Sequence, residues 1–210
     1  VRIFRQERHH PGGEIRLGVE ATEEVVRREE PDVVVIATGA RPGIPPIPGI
    51  LDSPAVDLFQ MLRRPLSGAR RALVIGGGML GVGAAHALAA RDVSVWVVEP
   101  GGELSSELGV RPRWQYVAGL RGRVNVTVHL NTTVEALWAD GALLRSGDRA
   151  VELKSLDLVV CTRPRVAVNE LAEALKTRAG GPPVYEVGDC VVPRTAFDAM
   201  QEGAALGHRL

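Results

Sequence analysis

Short, almost wholly apolar runs alternate along this chain with longer stretches whose apolar residues recur at helical spacing. Val33 to Ile36, Ala72 to Ile75, Val93 to Val98 and Leu156 to Cys161 are too short for helices and lack a polar alternation, which predicts strands buried on both faces of a parallel sheet. Helical patterns lie between them. Thr22 can N-cap a helix through Arg28 with Val25 and Val26 inward. Further helices are predicted over Ser53–Arg64, Met79–Ala90, Arg111–Leu120, Asn169–Lys176 and Thr195–Leu210, the last with Ala199, Gly203 and Gly207 at close-packing positions. Strand and helix in alternation predict an α/β fold.

The period changes in the middle of the chain. Val124–His129, Val134–Trp138, Ala142–Arg145 and Ala150–Leu153 read as short strands separated by turns such as Asp140-Gly141 and Gly147-Asp148. Val124, Val126 and Val128 alternate with polar neighbours, so one face of this sheet is wet and His129 is expected toward solvent or a neighbouring strand. In Arg111–Leu120, Trp114, Tyr116 and Val117 cannot share one face. Glu14–Leu17 reads as a short strand, and Val1–His10 as the last turns of a helix with His9 and His10 solvated. Arg41 to Ile50, RPGIPPIPGI, is too proline-rich for regular structure and reads as a stiff crossover between two lobes. Val184 to Cys190 is a strand ending in Gly188-Asp189.

Composition narrows the function classes. The chain has 210 residues, enough for one large domain or two small ones, and opens on Val1 rather than Met, which suggests a fragment or a processed chain. Twenty-five basic residues balance 25 acidic ones, so no general attraction to nucleic acid or an anionic membrane surface is expected. Aromatic residues make up 4%, which leaves no stacking platform for single strands. No apolar run approaches the roughly 20 residues of a membrane span. Cys161 and Cys190 stand too far apart in sequence for a redox pair and are too few for a metal site, which fits a cytoplasmic, reducing compartment. Asn125 and Asn131 begin glycosylation sequons but read as ordinary strand and turn residues.

The chemistry is concentrated in Ala72 to Glu99, ALVIGGGMLGVGAAHALAARDVSVWVVE. Here a buried strand runs into Gly76-Gly77-Gly78-Met79-Leu80-Gly81, a helix, a second strand and a terminal acid. A G-x-G-x-x-G turn alone can be no more than a turn. In this order and context it is the pattern of a dinucleotide site. Gly76 permits the tight exit from the strand, Gly78 clears space for a pyrophosphate, and Gly81 lets helix and sheet approach. The unpaired N–H groups of the helix start, Met79 and Leu80 among them, favour an anion. Glu99 can accept hydrogen bonds from both ribose hydroxyls and would repel a 2′-phosphate, so NAD(H) is expected over NADP(H).

PDVVVIATGA, RPGIPPIPGI, ALVIGGGMLG…VVE, DLVVCTRP and YEVGDCVVPRTAFDAMQEGAALG, in that order, resemble the two-dinucleotide-domain flavoprotein reductases. The closing GDCVVPR…EGAALG is most similar to the C-terminal half of the 2,4-dienoyl-CoA reductase, 2-enoate reductase and trimethylamine dehydrogenase group. That resemblance implies a Rossmann-like NAD(H)-binding domain at 68–162 inserted into a partial FAD-binding domain of the glutathione-reductase type at 1–67 and 163–210. It also implies transfer between NADH and FAD and onward to FMN and iron–sulfur (4Fe–4S) centres outside this chain, in a missing barrel region or partner subunit. Ala37, Thr38, Gly39 and Ala40 would line the adenine-nucleotide side of the flavin site. Gly188, Asp189 and the Cys190 N–H would meet the ribityl and diphosphate region of FAD, and Arg194 would face the flavin ring. Read alone, Gly188-Asp189 is equally a strand-to-helix turn with Asp as a cap. No catalytic side chain and no metal ligand is assigned, since the cofactors carry the chemistry. A small-molecule substrate and a homo-oligomer are expected. The alternatives are a structural module holding ADP in place of FAD, as in an amine dehydrogenase, and a simple NADH-dependent ferredoxin or rubredoxin reductase. The resemblance implies that the family's first FAD fingerprint would lie upstream of Val1. Two positions depart from the family: Gly83, where relatives carry Glu, and Thr162-Arg163, where they carry Thr-Gly.

Overall fold

The computed structural model describes residues 14–63, 65, 68–177 and 180–210. The helix predicted at Val1–His10 therefore lies outside the described residues. A five-stranded parallel sheet forms the centre, built from β3 (Ala55–Asp57), β4 (Arg71–Ile75), β5 (Ser94–Val98), β6 (Val126–His129) and β10 (Leu158–Cys161), in the order β3-β10-β4-β5-β6. Its strands are short and apolar because both faces are covered. Helices α3 (Met79–Ala89) and α4 (Val110–Arg121) lie on one face. There Val82, Ala84, Ala85 and Leu88 pack against Val74, Val95, Val97 and Val160. The small side chains of α3 bring it close to the sheet, and a fully buried valine or leucine contributes about 1.5–3 kcal/mol.

The other face carries an antiparallel sheet of β7 (Thr133–Trp138), β8 (Gly141–Ser146) and β9 (Arg149–Lys154). Leu137, Ala142, Leu144 and Leu153 from these strands close on Leu73, Val98 and Val159, with Ile47 and Ile50 of the proline-rich segment at the margin. Val124–His129 thus does not open a hairpin with the period-two strands: it is the parallel edge of the central sheet. His129 is half-buried there, and its Nε2 atom is closed off from water without a partner. Burial holds its imidazole below the usual histidine range. Asn125 donates to the Ala89 and Val93 carbonyls (3.0 and 2.9 Å) and ties the end of α3 to the start of β5, a structural role for that sequon.

A second, smaller unit comprises α1 (Glu23–Glu29), β1 (Val34–Ile36), α5 (Glu170–Lys176), β12 (Val184–Glu186) and α6 (Ala196–Gly207). β1 and β12 pair in parallel, Val34 with Val184 through Ile36 with Glu186. Val34, Ile36, Ala172 and Cys190 form its core. Thr22 caps α1 as predicted, accepting from the Val25 N–H at 3.3 Å. The two units are joined by an antiparallel ribbon of β2 (Ala40–Pro42) and β11 (Arg165–Ala167).

Several predicted elements differ. Glu14–Leu17 is turn and coil rather than strand. Ala40–Pro42 is a strand although it contains a proline, which is tolerated because Pro42, with no N–H to donate, is the strand's last residue at the ribbon's end. Ser53–Arg64 splits into β3 and helix α2 (Leu58–Arg63), with the break at Asp57, whose carboxylate caps the Gln60 N–H at 2.9 Å. Val184–Cys190 is a strand only to Glu186, and Gly188–Cys190 is a 3-10 turn.

Candidate functional site

The glycine turn lies between β4 and α3, at the carboxyl ends of the parallel strands, where open α/β sheets bind their ligands. Gly76 has φ +99°, and a Cβ there would lie 2.6 Å from the Thr162 hydroxyl. A Cβ on Gly81 would strike the Gly76 carbonyl. Internal packing alone therefore demands both glycines. Gly78 is the N-cap of α3 and offers no side chain to its N–H groups. Gly78 is buried, and the space its missing Cβ leaves is taken by two side chains that line the cleft, the Glu107 carboxylate at 2.7 Å and the Arg163 guanidinium at 3.0 Å.

Glu99 directly follows β5 and turns back on the glycines. One carboxylate oxygen accepts from the Gly77 N–H at 2.7 Å and the other from the Gly101 N–H at 2.9 Å. An ionised carboxylate has about four lone-pair sites, so two remain for sugar hydroxyls.

The loop after β5 closes over the turn. Leu104 is buried against Gly77, and the Ser105 N–H donates to the Gly77 carbonyl at 2.8 Å. The Glu107 carboxylate accepts from the Met79 N–H at 2.5 Å, at the positive end of α3. A carboxylate oxygen at a helix start is the nearest thing a protein has to a phosphate oxygen. Glu107 escaped the sequence reading because loops carry no periodicity. The remaining signal was an acid just before Gly109 and a new helix.

Beside the turn opens a cleft of about 800 Å³ between the two units. Gly78, Met79, Leu80, Glu107 and Arg163 line it around the start of α3, and Asp189 and Arg194 line it from the smaller unit. The Asp189 carboxylate accepts from the Arg165 guanidinium and from the Arg194 N–H at 2.8 Å. The Arg194 side chain pairs with Glu202, whose other oxygen accepts from the Gly188 N–H at 2.7 Å. That pairing raises Arg194 above its ordinary range, while the Gly188 N–H and Arg194 hold Glu202 below the usual carboxylate range. Thr195 and Asp198 cap α6 reciprocally.

Gly78, Met79, Leu80, Asp189 and Arg194 thus meet in one cleft, and Gly76, Gly81 and Glu99 support the turn behind it. Ala40 lines a small adjoining recess with Phe59, Leu80 and Thr162. Ala37, Thr38 and Gly39 lie outside the cleft lining: the Thr38 hydroxyl donates to the Val168 carbonyl, and Gly39 takes φ +76° with open space where a Cβ would be. The Cys190 thiol is buried and donates to the Ile36 and Val187 carbonyls. Cys161 is buried too, and burial with Asp57 nearby pushes its thiol up to about 11. Neither is a reactive thiol. Among the described residues no group of three or more His, Cys, Asp and Glu could hold a metal ion, and no helix is long and apolar enough to cross a membrane.

The departure at Gly83 has a partner in space. The Tyr116 hydroxyl donates to the Met79 carbonyl at 3.0 Å and stands 2.7 Å from where a Gly83 Cβ would be. Any side chain at 83 would meet it.

Residues 13–203 match the family model described as pyridine nucleotide-disulphide oxidoreductase. Bilirubin reductase of Mediterraneibacter gnavus is 33% identical over 184 residues, covering 84% of this chain and 27% of that protein. The nitric oxide reductase FlRd-NAD(+) reductase of Vibrio vulnificus is 28% identical over 178 residues, covering 75% of this chain and 46% of that protein. This chain therefore spans less than half of either relative. Among solved structures, a 2-naphthoyl-CoA reductase superposes with a TM-score of 0.81 at 28% identity, over 93% of this chain and 29% of that one. The 6-hydroxypseudooxynicotine amine oxidase of Pseudomonas geniculata superposes at 0.86 with 20% identity, over 98% of this chain and 33% of that one, a likeness of fold.

Proposed function

The chain belongs to the pyridine nucleotide-disulphide oxidoreductase family, and from that premise we propose that it is the nucleotide-binding part of a flavin-dependent oxidoreductase working between NADH and FAD. The carrying observation is the cleft at Gly78. Gly78 at the start of α3, with only the movable side chains of Glu107 and Arg163 over it, lines one continuous space with Asp189 and Arg194. The residues fit a dinucleotide: the Met79 N–H already holds an anionic oxygen, and Glu99 keeps lone pairs for a ribose. On this reading residues 68–162 form the NAD(H) part, into which β3 reaches as an edge strand, and the remainder forms the flavin part.

The chain's own residues bind and orient. Gly78 gives clearance, the start of α3 neutralises diphosphate charge, and Glu99 selects an unphosphorylated ribose. Across the cleft, Arg165 and the Arg194 N–H fix the Asp189 carboxylate where it can accept from hydroxyls of a flavin side chain. Bound there, the nicotinamide and flavin rings would supply the hydride chemistry themselves. Onward transfer to FMN and a 4Fe–4S cluster requires groups outside this chain, since a cluster takes about four thiolates and the two cysteines here are buried in separate cores. A cytoplasmic homo-oligomer acting on a small-molecule substrate completes the proposal.

One observation favours a second reading, in which this half is a structural module holding ADP in the flavin part: Glu107 already occupies the Met79 N–H. Anaerobic addition of NADH to the full-length flavoprotein separates the two. Bleaching of the flavin absorbance is the expected result. An unbleached flavin with ADP co-purifying would establish the structural module instead.

A further inference from the structure

This inference rests on the glycine turn being the NADH seat and concerns what stands in it. Two charged side chains flank the missing Cβ of Gly78, the Glu107 carboxylate at 2.7 Å and the Arg163 guanidinium at 3.0 Å. They form no ion pair with each other. Glu107 is bound to the Met79 N–H, whereas Arg163, among the described residues, donates no hydrogen bond to any partner. Both are exposed, and both line the cleft. A cation left unpaired beside a carboxylate that occupies an anion seat is the arrangement expected when a second anion is to be shared between the cation and the helix.

The loop that carries Glu107 points the same way. Ser105 is fully buried, and its hydroxyl has no partner, although its backbone N–H holds the loop against Gly77. A buried hydroxyl without a partner carries a desolvation cost that ends when the loop lifts or a polar group arrives. Ser105 also takes φ +49°, a left-handed conformation that a serine adopts at a cost. The closed loop is thus held by Leu104 and Glu107 against two costs stored at Ser105 between them.

We infer that Glu107 is an internal competitor for the dinucleotide diphosphate and that Arg163 is the residue that receives the diphosphate when Glu107 is displaced. In the exchange the Met79 N–H passes from a carboxylate oxygen to a phosphate oxygen, and Arg163 gains the bidentate partner it lacks. No covalent bond changes. Arg163 thereby sets affinity for the diphosphate, at the position where the resembling reductases carry glycine.

The test is NADH binding by the full-length protein, followed by quenching of intrinsic fluorescence, in wild type, Glu107→Ala, Glu107→Gln and Arg163→Ala. Removing the competing charge should tighten NADH about five- to tenfold in Glu107→Ala, and less in Glu107→Gln, which keeps an acceptor. Arg163→Ala should weaken NADH about tenfold. ADP-ribose, which shares the diphosphate, should follow the same order, and adenosine should bind all four proteins alike. If wild type binds NADH and Glu107→Ala binds it no more tightly, the competitor role is overturned while the NADH seat stands. Equal NADH affinity in Arg163→Ala and wild type overturns the receiving role. Absence of NADH binding in every variant overturns the seat and this inference together.

Discussion

Glu99 shows how one side chain can serve structure and ligand at once. Its two oxygens hold the Gly77 and Gly101 N–H groups, and the first of these is buried. Glu99→Ala strands a buried donor, which costs about 1–3 kcal/mol, and at about 2–4 °C per kcal/mol for a chain of this size the melting temperature should fall measurably. The same variant should bind NADH less tightly and discriminate less against NADPH, as read by parallel titrations. An unchanged nucleotide preference beside a lowered melting temperature would leave Glu99 a structural role only. The turn was legible because a glycine's role follows from local geometry: Gly76 and Gly81 stand where the sequence pattern places them, for the packing reasons it implies. Gly83 was legible only as a departure, since the Tyr116 hydroxyl that fills its space comes from another helix. Glu107 and Ser105 were invisible because their meaning depends on where a loop folds back.

Elements with a strong period or a clear cap match the sequence pattern, β7, β8 and β9 among them, whereas the three-residue strands β2, β3 and β11, made only by pairing with distant segments, do not. Helix α3 and strands β4, β5 and β10 sit within a residue or two of their predicted bounds. Strand β3 has only three residues and becomes a strand through β10 alongside it, a partner more than a hundred positions away. The same holds for β2 and β11. Capping, by contrast, is local, and α6 shows it: Thr195 accepts from the Asp198 N–H, and the Asp198 carboxylate accepts from the Thr195 N–H at 3.0 Å. Thr195→Ala should cost about 1 kcal/mol, seen as a lower midpoint in urea. The Thr195 hydrogen bonds hold Asp198 below the usual carboxylate range, as Gly188 and Arg194 do Glu202. A carboxyl lowered on folding stabilises above its unfolded value, near pH 4, and that contribution is lost as pH falls through the folded value. Wild type should therefore lose more melting temperature between about pH 5 and 3 than Asp198→Asn, in which one of the two groups no longer titrates. Parallel acid melting curves would contradict the assignment.

Across the whole molecule the two units are unequally covered. The central sheet is closed by helices on one face and by the β7–β9 sheet on the other, with Leu73, Val74, Val97, Val159 and Val160 fully buried. The β1–β12 pair has α5 on one face only, and on the other its paired residues Val35 and Tyr185 are 44% and 40% exposed. A two-stranded sheet with one apolar face open is marginal by itself. Opening free energies should differ accordingly, because local opening follows local burial. In this 210-residue chain the amides of Val34–Ile36 should exchange with deuterium at least about a hundredfold faster than those of Leu73–Ile75, whose opening approaches global unfolding. The contrast bears on the proposed flavin part. If the same amides in the full-length protein match the central sheet in protection, a further segment covers Val35 and Tyr185, as a complete dinucleotide domain requires. If they remain fast there as well, the pair is an open edge in the working protein, and a flavin held by Asp189 and Gly188 beside it would lack a rigid floor.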